Sequence, residues 1–193
     1  MIKFIIFDLD GVLVEAKEIH YKTLNNAIEE IAGRDYIITE QEHLSIYDGL
    51  KTFQKLEMLS EKKGLNKSLH NSIWDRKQKF TIEAISELKE NQSLISLFQI
   101  LRDAGYKLAC CSNSIRRSVL VMLSKIGLIE YMDLILSNED VKNSKPHPEM
   151  YWKAMSMMSV IPEETLIVED SPHGLLAASR SRAHVLRVDS PKD

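Results

Sequence analysis

The sequence predicts an α/β protein, a parallel five-stranded sheet whose first strand is separated from the other four by a long helical insertion. Three observations carry this. Short apolar runs bounded by polar or turn residues occur at residues 2–7, 107–111, 134–136, 165–168 and 185–188. From residue 93 onward they alternate with helical patterns, as expected when parallel strands are joined by helical crossovers. Between residues 16 and 85 amphipathic helical patterns follow one another without a convincing strand.

The first run, Ile2 to Phe7 broken only by Lys3, lacks polar alternation and reads as a strand buried on both faces at the centre of the sheet. Ile19, Thr23, Ala27, Ile28 and Ile31 then share one face of a helix that fades at Gly33. Thr39 followed by Glu42 has the form of a capping box opening a second helix, which stops near Asp48-Gly49. A third helix over residues 50–63 places Phe53, Leu56 and Leu59 on one stripe, with Gly64 just past its end. A fourth carries Leu69, Ile73, Trp74, Phe80, Ile82 and Ile85. Helices follow over 93–104 and 119–126, each ended by a glycine, then around 148–158 and 174–181, and the sheet is expected to be covered on both faces. Trp74, Trp152 and the methionines 155, 157 and 158 read as packing. The domains are therefore predicted as a Rossmann-like core, residues 1–15 and 86–193, and an inserted helical lobe, residues 16–85.

Composition narrows the function classes. With 193 residues the chain can build one good core plus a small lobe, and 44% hydrophobic and 27% charged residues are ordinary for a globular protein. Twenty-five basic against 28 acidic residues give a net charge of −3, which offers no general attraction to nucleic acid or an anionic membrane. Cys110 and Cys111 are adjacent in one predicted strand and point to opposite faces, so they are poor partners for each other and fit a reducing compartment. The start has no secretory signal pattern and no run approaches membrane-spanning length, so a cytoplasmic protein is expected, with a monomer as the default state. The six histidines show no metal-ligand spacing, which argues against zinc.

The chemically suggestive residues fall at predicted strand exits, where open α/β sheets bind ligands. Strand one runs into Asp8-Leu9-Asp10-Gly11-Val12, and side chains two apart on an extended chain point the same way. Strand two exits into Ser112-Asn113-Ser114, cap-forming residues that can equally donate to phosphate oxygens. Ser144-Lys145-Pro146-His147-Pro148 presents an ammonium on a backbone fixed by two prolines. Strand four ends in Glu169-Asp170-Ser171-Pro172-His173-Gly174, adjacent carboxylates that repel unless a positive charge sits among them. Taken together and in this order, these four stretches resemble the motifs of the haloacid dehalogenase superfamily of aspartyl-nucleophile phosphatases and phosphomutases.

The resemblance covers essentially the whole chain and implies roles. Asp8 would be the nucleophile and Asp10 the general acid and base. Ser112, with Asn113 beside it, would bind the phosphoryl group, and Lys145 would balance its charge. Mg2+ would be held by Asp8, the Asp10 carbonyl, Asp170 and, directly or through water, Glu169. The helical insertion resembles the cap of the phosphoglycolate phosphatase and β-phosphoglucomutase subgroup, with Tyr47-Asp48-Gly49-Leu50-Lys51-Thr52 similar to its specificity loop. His20, Lys51, Arg76 and Lys77 are its candidate substrate contacts. Two departures stand out: Val14-Glu15-Ala16 replaces the usual Val-Asp-Ser or Val-Asp-Thr, and Arg180-Ser181-Arg182-Ala183 lacks the expected glycine. The expected activity is Mg2+-dependent hydrolysis of a small phosphorylated metabolite through an aspartyl phosphate. Alternatives are a sugar phosphomutase, a phosphate-binding protein without turnover, and a receiver-type signalling domain, the last disfavoured by the long helical insertion.

Overall fold

The computed structural model describes residues 1–47 and 50–189. The chain divides into two compact units, Met1–Glu15 with Leu88–Asp193, and Ala16–Glu87. The first opens with β1 (Phe4–Phe7), fully buried along its length. Phe4, Ile5, Ile6 and Phe7 each contribute roughly 1.5–3 kcal/mol by leaving water.

Within the second unit, α1 (Lys17–Ala32) buries Leu24, Ala27 and Ile28. The amide of Asn25 clamps the returning chain, donating to the Ile38 carbonyl at 2.8 Å and accepting from its N–H at 2.9 Å. The capping box forms: Thr39 Oγ1 accepts from Glu42 N–H at 3.2 Å and the Glu42 carboxylate accepts from Thr39 N–H at 2.7 Å. It opens α2 (Glu40–Glu42), which widens at once into a π-turn over His43–Tyr47; the expected stop at Asp48-Gly49 lies outside the described residues. α3 (Thr52–Lys63) and α4 (His70–Ser86) follow. Leu24, Ile28, Ile38, Tyr47, Leu56, Leu59 and Ile73 form this unit's own core. Phe53, expected in that core, is 42% exposed and stacks on Trp74 at 6.1 Å.

The first unit continues with α5 (Gln92–Asp103), β2 (Lys107–Cys111), α6 (Arg116–Lys125), β3 (Leu134–Leu136), α7 (Glu149–Met158), β4 (Thr165–Glu169), α8 (Pro172–Ser181) and β5 (His184–Arg187). The sheet order is β3-β2-β1-β4-β5, all parallel, with Phe7 paired to Cys110 on one side and Val168 on the other. Being central explains why β1 lacks polar alternation. Phe4 and Ile6 join Met150, Tyr151, Ala154 and Ala177 in one core layer. Phe7 meets Phe98 of α5 at a ring distance of 4.8 Å.

Two expectations change. β5 has all four residues exposed, with Val185 at 39% and Leu186 at 49%. It is an edge strand with β4 alone as neighbour, so its apolar residues do not signal burial on both faces. Trp152 is 48% exposed, its ring edge-on to His147, and Met157 is exposed as well, whereas Met155 is buried; one face of α7 points to solvent. Among the described residues no helix is long and apolar enough to cross a membrane.

Candidate active site

The site gathers where the sheet changes direction. From β1 the chain proceeds outward through β2 and β3, then returns to the opposite side of β1 for β4 and β5. The loops leaving β1 and β4 therefore part, and ligands bind in such crevices. Asp8 extends the ladder one step, its N–H donating to the Val168 carbonyl at 3.0 Å. The chain then turns back tightly: Leu13 and Val14 both donate to the Leu9 carbonyl, and Gly11 donates to that of Val14. Gly11 has φ +100°, and a Cβ there would run into the Asp170 carboxylate. A glycine is needed twice over, for conformation and for space.

Lys145 is the hub. Its Nζ donates to Asp8 Oδ1 at 2.6 Å, to Glu169 Oε1 at 2.5 Å and to the Cys111 carbonyl at 2.8 Å, using all three N–H groups. Its main chain is held by Asn113, whose Oδ1 accepts from Lys145 N–H and whose Nδ2 donates to the Lys145 carbonyl, both at 3.1 Å. Asn113, expected at the phosphate, thus has its amide engaged in placing the lysine.

Glu169 is fully buried and accepts five hydrogen bonds. Lys145 and the Tyr151 hydroxyl (2.9 Å) reach Oε1; Asp170 N–H, Ser171 N–H and Ser171 Oγ reach Oε2. Ser171 also caps α8, accepting from Gly174 N–H at 3.1 Å. A Cβ on Gly174 would collide with the Glu169 carboxylate. Asp10 Oδ2 accepts from Ser112 Oγ at 3.2 Å and from Ser114 Oγ at 2.8 Å.

Burial pushes the Asp8 carboxyl well above its ordinary value, and Glu169 and Asp10 add to this against the pull of Lys145. Burial alone would lower the Lys145 ammonium, but Asp8 and Glu169 outweigh it and hold it well above the usual lysine value. Burial also pushes the Cys111 thiol up to about 12, so Cys111 is inert as a nucleophile.

Carboxylate oxygens of Asp8, Glu169 and Asp170, all buried, lie within 4.8 Å of one another. Hard oxygen donors, a pocket shaped by two glycines and an excess of negative charge fit a divalent cation.

The structure thus brings together Asp8, Asp10, Ser112, Asn113, Lys145, Glu169 and Asp170. Ser114 and Tyr151 were not singled out from the sequence. Ser114 offered only a third polar residue after a strand, and Tyr151 reads as an inward core position of its helix. His20, Lys51, Arg76 and Lys77 belong to the helical unit. Lys77 is buried with its Nζ 3.3 Å from His20 Nδ1, so it is no solvated surface charge. Arg76 pairs with Glu30 at 2.9 Å and lies over the Phe80 ring. The Lys51 N–H donates to Gln54 at the start of α3. Asp48 and Gly49 of the expected specificity loop lie outside the described residues.

The chain is similar in sequence and fold to known phosphatases and to a putative phosphomutase. The chain is 30% identical over 177 residues to a phosphorylated carbohydrates phosphatase of Thermotoga maritima, covering 90% of this chain and 79% of that protein. It is 31% identical to a putative phosphatase, YhcW, of Bacillus subtilis, covering 94% and 80%. Its fold superposes on the crystal structure of a putative β-phosphoglucomutase from Thermotoga maritima with a TM-score of 0.72 at 28% identity, covering 95% and 84% of the two chains. With residues 5–188 matching its description, the chain belongs to the haloacid dehalogenase-like hydrolase family.

Proposed function

We propose that this protein is a Mg2+-dependent phosphatase acting on a small phosphorylated metabolite through a phospho-Asp8 intermediate. The observation that carries the proposal is the contrast between its two leading carboxylates. Asp8 is buried against the Lys145 ammonium, whereas Asp10, two residues on, is held by two hydroxyls. Different surroundings let chemically identical groups take different roles.

In the first step an Asp8 carboxylate oxygen attacks phosphorus as the bond to the leaving oxygen breaks, and Asp10 supplies that oxygen's proton. In the second, Asp10 takes a proton from water as the water attacks phosphorus and frees Asp8. Lys145 neutralises charge on the phosphoryl oxygens, with Ser112 as a further donor. Asp8, Asp170, the Asp10 carbonyl and Glu169 are the residues that would hold the metal. When bound, Mg2+ supplies positive charge that offsets the carboxylates and the substrate phosphate. Residues 16–85 act as a cap that excludes water and selects the leaving group, with His20, Lys51, Arg76 and Lys77 as its polar candidates.

The test is phosphate release from a panel of sugar phosphates and other small monoesters, with and without Mg2+, for the native chain and Asp8→Asn. Release that needs Mg2+ and falls by about three orders of magnitude or more in the variant is expected. Undiminished release from the variant would exclude Asp8 as nucleophile. The similarity to a putative β-phosphoglucomutase keeps a second reading, phosphomutase, in view. It predicts isomerised sugar phosphate with little free phosphate.

A further inference from the structure

We infer that Tyr151 is a positioning residue of this site: its hydroxyl keeps Glu169 satisfied while the Lys145 ammonium passes from that carboxylate to a phosphoryl oxygen. The inference rests on the phosphatase reading and extends it to a residue outside the four sequence motifs.

All three N–H groups of Lys145 are engaged, by Asp8, Glu169 and the Cys111 carbonyl. A phosphoryl oxygen arriving beside Asp8 can be bound only if one of these acceptors gives up its donor. The Cys111 carbonyl is fixed at the end of β2, and Asp8 is the group that must stay oriented for attack. Glu169 is the acceptor best able to release the ammonium. Its Oε2 has three donors of its own, and its Oε1 retains the Tyr151 hydroxyl at 2.9 Å. Without that hydroxyl, releasing Lys145 would leave a buried carboxylate oxygen with no donor, a penalty that would hold the lysine on Glu169. Tyr151 also lays its ring face 5.1 Å from Lys145 Nζ, a cation–π contact that guides the ammonium.

Tyr151 is fully buried in the layer formed by Phe4, Ile6, Met150 and Ala154, so a large truncation would test packing rather than mechanism. Tyr151→Phe keeps the ring and removes only the hydroxyl. We expect it to fold with a melting temperature close to that of the native chain, to lose roughly tenfold in kcat, and to bind inorganic phosphate roughly tenfold more weakly by titration calorimetry. In a Glu169→Gln background the lysine no longer faces a carboxylate, and adding Tyr151→Phe should change either quantity less than twofold. A packing role would instead give the same factor in both backgrounds. Unchanged kcat and phosphate affinity in Tyr151→Phe, or equal factors in the two backgrounds, would overturn the inference. If the native chain releases no phosphate from any ester, the phosphatase reading fails, while the phosphate titration still decides for or against Tyr151. A native chain that neither hydrolyses nor binds phosphate removes both.

Discussion

Arg182 stands in the left-handed region, φ 69°, at the turn from α8 into β5. An L side chain there meets its own backbone, at a penalty of roughly 1–2 kcal/mol. The conformation is the one that a glycine would adopt freely, and a glycine is what the family resemblance leads one to expect at this turn. The turn imposes that backbone conformation on an arginine. Because the side chain is exposed, Arg182→Gly should remove the strain and lose little else. A gain of about 1 kcal/mol, read as a melting temperature higher by roughly 2–4 °C in scanning calorimetry, is expected. The opposite change is expected at Gly174, where Ala would drive a methyl group into the buried Glu169 carboxylate. Moving Glu169 breaks its bond to Lys145, so Gly174→Ala should lower kcat at least tenfold and destabilise the fold by about 1–3 kcal/mol. An active, equally stable Gly174→Ala chain would show that the carboxylate is not fixed there.

Between elements, the loop after β3 is tied by Asp140. Its carboxylate accepts from Arg116 Nη1 at 2.8 Å through both oxygens, and from Ser137 N–H and Oγ at 2.8 and 2.7 Å. Its carbonyl accepts from Lys153 Nζ, joining α6, the β3 exit and α7 behind the Lys145 loop. Burial works against its ionisation, but the Ser137 hydrogen bonds and the Arg116 charge hold the Asp140 carboxyl below its ordinary value. A depressed carboxyl adds stability that is present above the unfolded value, about 3.9, and lost as pH falls through the folded one. Asp140→Asn should therefore destabilise the chain by about 1–2 kcal/mol at neutral pH and flatten the loss of stability below pH ~4. Denaturant melts at pH 7 and pH 3 check both. Such ties were not legible in the sequence. Periodicity records which residues are buried, so the alternating helices and strands could be read, and motif spacing marked Asp8, Ser112, Lys145 and Asp170. Nothing local in the chain says that Asn113 grips the Lys145 main chain or that Tyr151 reaches Glu169. Those pairs meet only because parallel crossovers bring distant loops to one edge of the sheet. The same limit explains β5, whose apolar residues look the same whether its strand is central or at an edge.

At the scale of the whole molecule, the net charge of −3 conceals a local imbalance. Asp8, Glu169 and Asp170 crowd their oxygens within 4.8 Å, and Lys145 is the cation that bridges two of them. Buried like charges raise the free energy of the fold unless protons or a metal offset them. The site is therefore expected to oppose stability in the absence of metal and to favour it when metal is bound. With Mg2+ at about a hundred times its dissociation constant, linkage gives about 2.7 kcal/mol of stabilisation. For a chain of this size that is a rise of roughly 5–10 °C in melting temperature. Asp170→Asn removes one negative charge and, on the proposed reading, one metal ligand together, so its two effects carry opposite signs. Without metal the variant should melt higher than the native chain, and with Mg2+ it should gain little. Melting curves of both chains with chelator and with Mg2+ give all four values without reference to any substrate. Equal Mg2+ gains in the two chains would take Asp170 out of the metal site. A native chain indifferent to Mg2+ would mean that Lys145 and protons alone balance the carboxylates.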